Sequence, residues 1–156
     1  MKMKAIVISL VIFLLAIPAG AQSLKTLYDV DDSKIALQGY SPVSYIDLGL
    51  AQKGKVQFVS TYKEVKYYFT DAKQKSKFDA DPNKYLPEYG GYCAFGVYAG
   101  AKFRPDPNKF LTKDGKLYLF LYNLELDAKQ LWLAEKNDSK LIKNAGANWA
   151  KLKNKF

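Results

Sequence analysis

The sequence predicts a small α+β domain with two β-hairpins, a short central helix and C-terminal helices. The first hairpin signal is "KVQFVSTYKEVKYYFT", in which strand-favouring residues alternate and Lys63-Glu64 forms the turn. The second is "KFLTKDGKLYLFLY", where Asp114-Gly115 is a two-residue turn that tolerates positive φ. No linker is long enough to divide the chain, so we expect one domain over residues 22–156.

Residues 1–21 have the layout of a secretory signal peptide. Two lysines precede an apolar run from Ala5 to Ile17, and the small residues Ala19 and Ala21 form an A-x-A cleavage site. The apolar run is shorter than the roughly 20 residues that a transmembrane helix needs. We expect cleavage near Ala21 and export of the mature chain, which would be periplasmic or secreted.

The charge of the chain narrows the class of partner. The formal net charge is +9, and Arg104 is the sole arginine among 24 basic residues. Lysine is a hydrated point charge and a poor bidentate reader of bases, so no nucleic-acid partner is expected. Weak association with an anionic envelope surface is the interaction that the charge favours. No specific partner can be named from the sequence.

The inventory of reactive side chains is short. The chain has no histidine, both methionines lie in the predicted signal peptide, and Cys93 is the single cysteine, so no internal disulfide forms. Zinc and copper(I) sites want several sulfur or imidazole ligands, and a hydrolase would need a histidine base. We therefore predict no cofactor and no metal ligands, with a transition metal as a weaker alternative.

The elements between and after the hairpins are predicted from local signals. We expect a short strand at Ile35–Leu37, and a helix that Thr70 or Asp71 caps and that stops at Asp81-Pro82. The run "YCAFGVYAG" fits either a helix or a buried strand. The pair "DPNKYL" and "DPNKFL" is interpreted as one turn device used twice.

The C-terminal stretch is predicted to be helical. Leu126, Leu131, Leu133 and Trp132 give the first part an apolar face. A second helix follows, with Asp138 or Ser139 as its cap, and it carries Leu141 and Ile142.

The segment "EYGGYCAFG" holds the candidate site. Gly90 and Gly91 are positions that need an unusual φ or a close backbone approach. If they form a tight turn and a helix starts near Tyr92, the free N–H groups of that helix lower the pKa of the Cys93 thiol. We predict Cys93 as the catalytic residue and Tyr89, Gly90, Gly91 and Tyr92 as ligand-binding residues. Cys93 is equally compatible with a buried structural role.

Several blocks of the chain resemble a known family, the exported YHS-domain proteins, a subgroup that includes selenoprotein relatives. The blocks are "IALQGYSPVSYI", "TYKEVKYYFTDAKQKSKFDADPNKYLPEYGGYCAFGV" and "KDGKLYLF", followed by Trp132 and Asn148-Trp149. Their order and spacing cover nearly the whole mature chain.

The resemblance implies a small α+β module of the kind often described as heavy-metal-binding. It also implies a redox role for Cys93, the one position where a cysteine can replace a selenocysteine. The family's better-known metal-binding members carry an early cysteine motif. Here that motif is replaced by "GYSPVSY", with Ser41 and Ser44, and histidine is absent.

Three hypotheses follow for the function. The first is a thiol-redox or ligand-binding module centred on Cys93; since no resolving cysteine is present, its redox form needs an external thiol partner. The second is a metal-handling accessory protein, which rests on the family resemblance alone. The third is a non-catalytic envelope protein that binds a partner or an anionic surface through its lysines and tyrosines. The sequence leaves open whether the protein is an enzyme.

Overall fold

The computed structural model describes residues 23–155, and the predicted signal peptide lies outside this range. This part of the chain is α+β, as predicted, and it contains two antiparallel two-stranded sheets. The helices are α1 Leu24–Leu27, α2 Ala72–Ala80, α3 Pro82–Tyr85, α4 Ala94–Ala99, α5 Ala128–Ala134 and α6 Asp138–Leu152. The strands are β1 Lys55–Tyr62, β2 Val65–Phe69, β3 Asp106–Lys113 and β4 Lys116–Phe120. Within residues 23–155, no helix combines the length and apolarity that a membrane span requires.

Both predicted hairpin turns are confirmed. Lys63 and Glu64 join β1 to β2 with φ of 50° and 65°, and Asp114 and Gly115 join β3 to β4 with φ of 51° and 72°. Positive φ at both turn residues gives the backbone the twist that a two-residue hairpin loop needs.

Strand β4 separates two hydrophobic cores. Because side chains alternate across a strand, Leu117 and Leu119 enter one core while Tyr118 and Phe120 enter the other. The first core holds the inward face of β2 and the buried ring of Phe78 from α2. The second core is built around α4, α5 and α6. These four of the five β4 side chains are buried, so this short strand is central to the fold.

Two stretches of the chain repeat one backbone geometry; we call residues 35–80 the first unit and residues 87–134 the second unit. Each unit opens with a turn of three successive left-handed residues. The φ values are 54°, 51° and 81° over residues 37–39, and 54°, 63° and 89° over residues 89–91. The two hairpins also share a register, in which Lys55 pairs with Phe69 and Asp106 with Phe120, each before a bulge.

The helical segment that follows the turn also starts in the same way in both units. The N–H of Ser41 donates to the carbonyl of Gln52, and the N–H of Cys93 donates to the carbonyl of Phe103, both at 2.9 Å. Each residue follows a Gly-Tyr pair at the end of its turn. Ser41 is therefore the structural counterpart of Cys93.

Each unit ends in a helix whose N-cap and first three residues are Asp-Ala-Lys-Gln. The Asp71 carboxylate accepts the N–H of Gln74 at 2.8 Å, and the Asp127 carboxylate accepts the N–H of Gln130 at 3.2 Å. These aspartates cap α2 and α5, because they bind backbone donors that the first helical turn leaves free.

Two predictions for the first part of the chain were wrong. Ile35–Leu37 is not a strand: only Ile35 makes a β-bridge, and Leu37 is left-handed within the 3₁₀-type turn Ala36–Gly39. The two Asp-Pro-Asn segments are not one device. Asp81 caps helix α3, whereas Asp106 lies in β3 and accepts the N–H of Asn108 at 2.8 Å.

The C-terminal helices also differ from the prediction. Helix α5 buries Trp132 but leaves Leu131 and Leu133 exposed, and Leu126 precedes the helix. The reason is that a helix of seven residues presents only one narrow face to the core. Helix α6 is capped by Asn137, one residue before the predicted caps.

Candidate functional site

Cys93 lies at the N-cap of α4, inside the second core. Its side chain is 1 % exposed, and its sulfur accepts the N–H of Gly96 at 3.4 Å. The predicted helix is therefore present; it begins at Ala94, so Cys93 is its N-cap and does not lie in its first turn as predicted. The buried alternative for Cys93 is the one that the structure favours.

The electrostatics of Cys93 oppose thiolate formation. Burial raises the pKa of the thiol, and backbone donors, including the N–H of Gly96, only partly offset it. Desolvation disfavours the charged form, and α4 has only six residues from which to stabilise an anion. The predicted lowering of the thiol pKa is thus wrong in sign, because sequence reasoning counted the helix but not the core around it.

The turn before Cys93 has the predicted conformation. Gly90 and Gly91 have φ of 63° and 89°, and the preceding Tyr89 has φ of 54°. A Cβ at Gly90 would lie 1.8 Å from the carbonyl oxygen of Leu27. The close backbone approach expected at the glycine pair is made by the chain's own N-terminal segment.

We call that segment, residues 23–30, the strap, since it lies across the second unit. The N–H of Asp29 donates to the carbonyl of Gly90 at 2.9 Å. The hydroxyl of Tyr92 donates to the carbonyls of Lys25 and, at 3.1 Å, Tyr28. The strap therefore covers one side of the predicted site.

The two predicted tyrosines are largely structural. Tyr89 is 5 % exposed, and its hydroxyl donates to the carbonyl of Ile142 in α6 at 3.3 Å. Tyr92 is 8 % exposed, and burial raises the pKa of its hydroxyl to about 12. Both rings contact Trp149, with centroids 6.2 Å and 6.1 Å away.

Tyr92 is also the predicted residue that reaches a pocket. The pocket has a volume of about 400 Å³ and lies between the end of α4 and the end of α6. Its lining comprises Tyr92, Gly100, Ala101, Lys102, Leu152 and Lys155. Its size falls in the range of roughly 300–1,000 Å³ that is typical of small-molecule sites. Tyr89, Gly90, Gly91 and Cys93 do not line it.

Lys102 brings a positive charge to this pocket. Its ammonium lies 5.4 Å from the ring centroid of Tyr92 and 5.5 Å from that of Trp149. It also donates to the carbonyls of Thr26 and Lys155, both at 2.6 Å. Burial lowers the pKa of Lys102, because the surroundings disfavour its charged form. Nothing in the run "YAGAKFRPD" distinguishes this lysine, so sequence reasoning missed it.

Asp29 is a second residue that sequence reasoning missed. It belongs to the strap, and the pKa of its carboxyl is raised to about 6, mainly by burial. The positive charge of Arg104 partly offsets this rise, and the negative charge of Asp31 adds to it. In the sequence it stands in "YDVDD", which has the composition of a solvated turn. Its burial follows from the contact between the strap and Gly90.

No metal centre is evident in the part of the chain that the structure describes. Among residues 23–155, no three cysteine or carboxylate side chains are grouped so that they could hold one ion.

Comparison with known proteins returns no relative. No family model matches the chain, and neither a characterised protein nor a solved structure is significantly similar to it. The resemblance to exported YHS-domain proteins therefore stays a prediction.

Proposed function

We propose that this domain is a non-catalytic binding module that takes a small amphipathic anion into the Tyr92–Lys102 pocket. The observation that carries the proposal is the combination of a pocket of about 400 Å³ with a partly buried lysine, Lys102, in its lining. The ligand class is a carboxylate with a short apolar chain. The proposal keeps the predicted export, but it moves the ligand site from Cys93 to a pocket that only Tyr92 among the predicted site residues lines.

The apolar part of the ligand is argued from the pocket walls. The ring of Tyr92, the methyl group of Ala101 and the side chain of Leu152 present carbon surface. Burying apolar ligand surface against such walls is favourable at roughly 25 cal/mol per Å². A short alkyl chain is therefore a better occupant than a sugar or another fully polar molecule.

The anionic part is argued from Lys102. Its ammonium donates to the carbonyls of Thr26 and Lys155 and lies beside the rings of Tyr92 and Trp149. A carboxylate beside this ammonium adds a charge-assisted hydrogen bond in a partly buried place, where such bonds are stronger than in water. Lys155 adds a second positive side chain to the lining.

Thiol-redox chemistry at Cys93 stays a prediction, and two observations weigh against it. The sulfur is buried, and the pKa of the thiol is raised by that burial. A reactive cysteine needs an accessible, stabilised thiolate. Metal handling has no supporting observation in the described range.

Calorimetric titration with octanoate tests the proposal, with octanol as the neutral probe of the same chain length. We expect octanoate to bind saturably, one molecule per chain, and octanol to bind more weakly. Lys102→Met keeps the length of the side chain but removes its charge. It should weaken octanoate binding about 10- to 100-fold, the value of a hydrogen bond to a charged group.

Two further variants control the experiment. Ala101→Leu fills the pocket and should abolish binding of both probes, whereas Lys140→Met removes an exposed charge on α6 and should leave binding unchanged. Equal binding of octanoate and octanol, or full binding by Ala101→Leu, would refute the assignment of the pocket.

A further inference from the structure

The outer face of α6 carries a row of lysines that the pocket does not use. Lys140, Lys143 and Lys151 are exposed, and none of them forms an ion pair with another residue in the 23–155 range. At 100° per residue, the three side chains fall within an arc of about 80° on the helix, and the row extends about 16 Å along its axis. We call these three residues the lysine row.

The row lies opposite the packed face of the helix. Leu141 and Ala145 are buried in the second core, and Trp149 packs against its tyrosines. That packing fixes the rotation of α6, so the row points away from the protein body. A fixed orientation gives the three charges one common surface.

Acidic groups do not cancel this charge locally. Asp138 is the one acid within α6, and it is paired with Lys113 at 3.1 Å and accepts the indole N–H of Trp132 at 2.8 Å. Glu135 lies before the helix, where Lys136 follows it. Lys153 and Lys155 follow the row in the sequence.

The composition of the row indicates the kind of partner. The residues between the lysines on this face include Ala147, and α6 contributes none of the large exposed apolar side chains of residues 23–155. A specific protein interface needs an apolar centre, and nucleic-acid binding favours arginine and stacking aromatics. A flat anionic surface needs only accessible positive charge.

We propose that the lysine row docks the protein onto a bilayer of anionic phospholipid, with α6 lying along the surface. This inference goes beyond the proposed ligand pocket and does not depend on it. The attraction acts at each phosphate headgroup and is screened by salt, since the Debye length falls as ionic strength rises.

Vesicle sedimentation tests the proposal with the mature chain. We expect binding to vesicles that contain phosphatidylglycerol, no binding to pure phosphatidylcholine, and loss of binding as salt is added. The triple variant Lys140→Gln, Lys143→Gln and Lys151→Gln should bind about 100-fold more weakly, since each lysine near a charged surface contributes about fivefold.

The matched control removes the same charge elsewhere. Lys55, Lys66 and Lys73 of the first unit are exposed and form no ion pair within the described range, so their triple glutamine variant should keep binding within a few-fold. Equal loss in both triple variants would overturn the proposal, because it would show dependence on net charge alone. Failure of the wild type to bind anionic vesicles at low salt, or preference for soluble polyglutamate, would also overturn it.

Discussion

Replacing Gly90 by alanine tests whether the strap holds the second unit together. The added Cβ would lie 1.8 Å from the carbonyl oxygen of Leu27 and 2.9 Å from its carbonyl carbon. Both atoms are backbone, so no side chain can rotate to relieve the clash. The strap itself must move away from the turn.

Gly49 is a matched control for the part of the stability loss that comes only from placing an alanine at positive φ. Its φ of 66° is close to the 63° of Gly90, but a Cβ added there meets nothing within 4 Å. Gly49→Ala should therefore cost only the left-handed strain of an L-residue, about 1–2 kcal/mol.

Gly90→Ala adds the displacement of the strap to that strain. A shift of about 1.5 Å restores van der Waals contact and breaks the bond from Asp29 N–H to Gly90 and those from Tyr92 to the strap carbonyls. At about 0.5–1.5 kcal/mol for each bond, we expect a total loss of about 4 kcal/mol.

The assay is urea unfolding of the mature chain, with hydrogen exchange as a local readout. We expect Gly90→Ala to be less stable than Gly49→Ala by about 2–3 kcal/mol. Amides of the strap should also lose protection in Gly90→Ala but keep it in Gly49→Ala. Equal destabilisation by the two substitutions would refute the reasoning, since the clash with Leu27 would then cost nothing.

Three further predictions concern the other buried polar groups. Burial raises the pKa of Asp29 to about 6, so the folded state binds more protons than the unfolded state. The free energy of unfolding should therefore fall by at most about 3 kcal/mol as pH rises from about 4 to 6. Urea unfolding at several pH values should show this fall in the wild type and not in Asp29→Asn. Cys93→Ser should fold, because a serine, Ser41, occupies the equivalent position in the first unit. In the wild type, the buried thiol of Cys93 should react with a thiol reagent only in denaturant. Fast reaction in native buffer would instead support the redox hypothesis. Gln74→Leu should lose about 1–3 kcal/mol in urea unfolding, because it leaves the buried hydroxyl of Ser41 without its partner, whereas the hydroxyl of Ser44 still donates to Gln52. Gln130→Leu on the exposed face of α5 should change stability by less than about 0.5 kcal/mol, and equal effects of the two substitutions would contradict this account.

The hairpins were predictable because their signals are local. Asp114-Gly115 and Lys63-Glu64 specify a turn within two residues, and the aromatic residues beside them favour strands whatever the rest of the chain does. The cap at Asp71 was predictable for the same reason. Such features need no knowledge of distant contacts.

The state of Cys93 was not predictable because distant elements decide it. Strand β4 and helix α6 close the second core around the thiol, and both lie far along the chain from the Gly-Gly pair. Lys102 and Asp29 were missed for the same reason, since burial, and not residue type, perturbs their pKa values. The repeat of the unit is visible in the sequence. Gly-Tyr-Ser in the first unit matches Gly-Tyr-Cys in the second, and Asp-Ala-Lys-Gln occurs at the start of the last helix of each unit.

The second unit contacts the strap mainly through the strap's backbone carbonyls. Substituting a residue of the strap and inserting one should therefore have different effects. Lys25, Thr26, Leu27 and Tyr28 each present a carbonyl oxygen to the turn of the second unit or to its tyrosine and lysine. Every residue type supplies that oxygen, so these contacts place no requirement on the side chains; the side-chain requirements in the strap come from its buried positions, such as Thr26 and Val30. Adding or removing one residue would shift all the carbonyls together, so the length of this segment is constrained far more tightly than its composition.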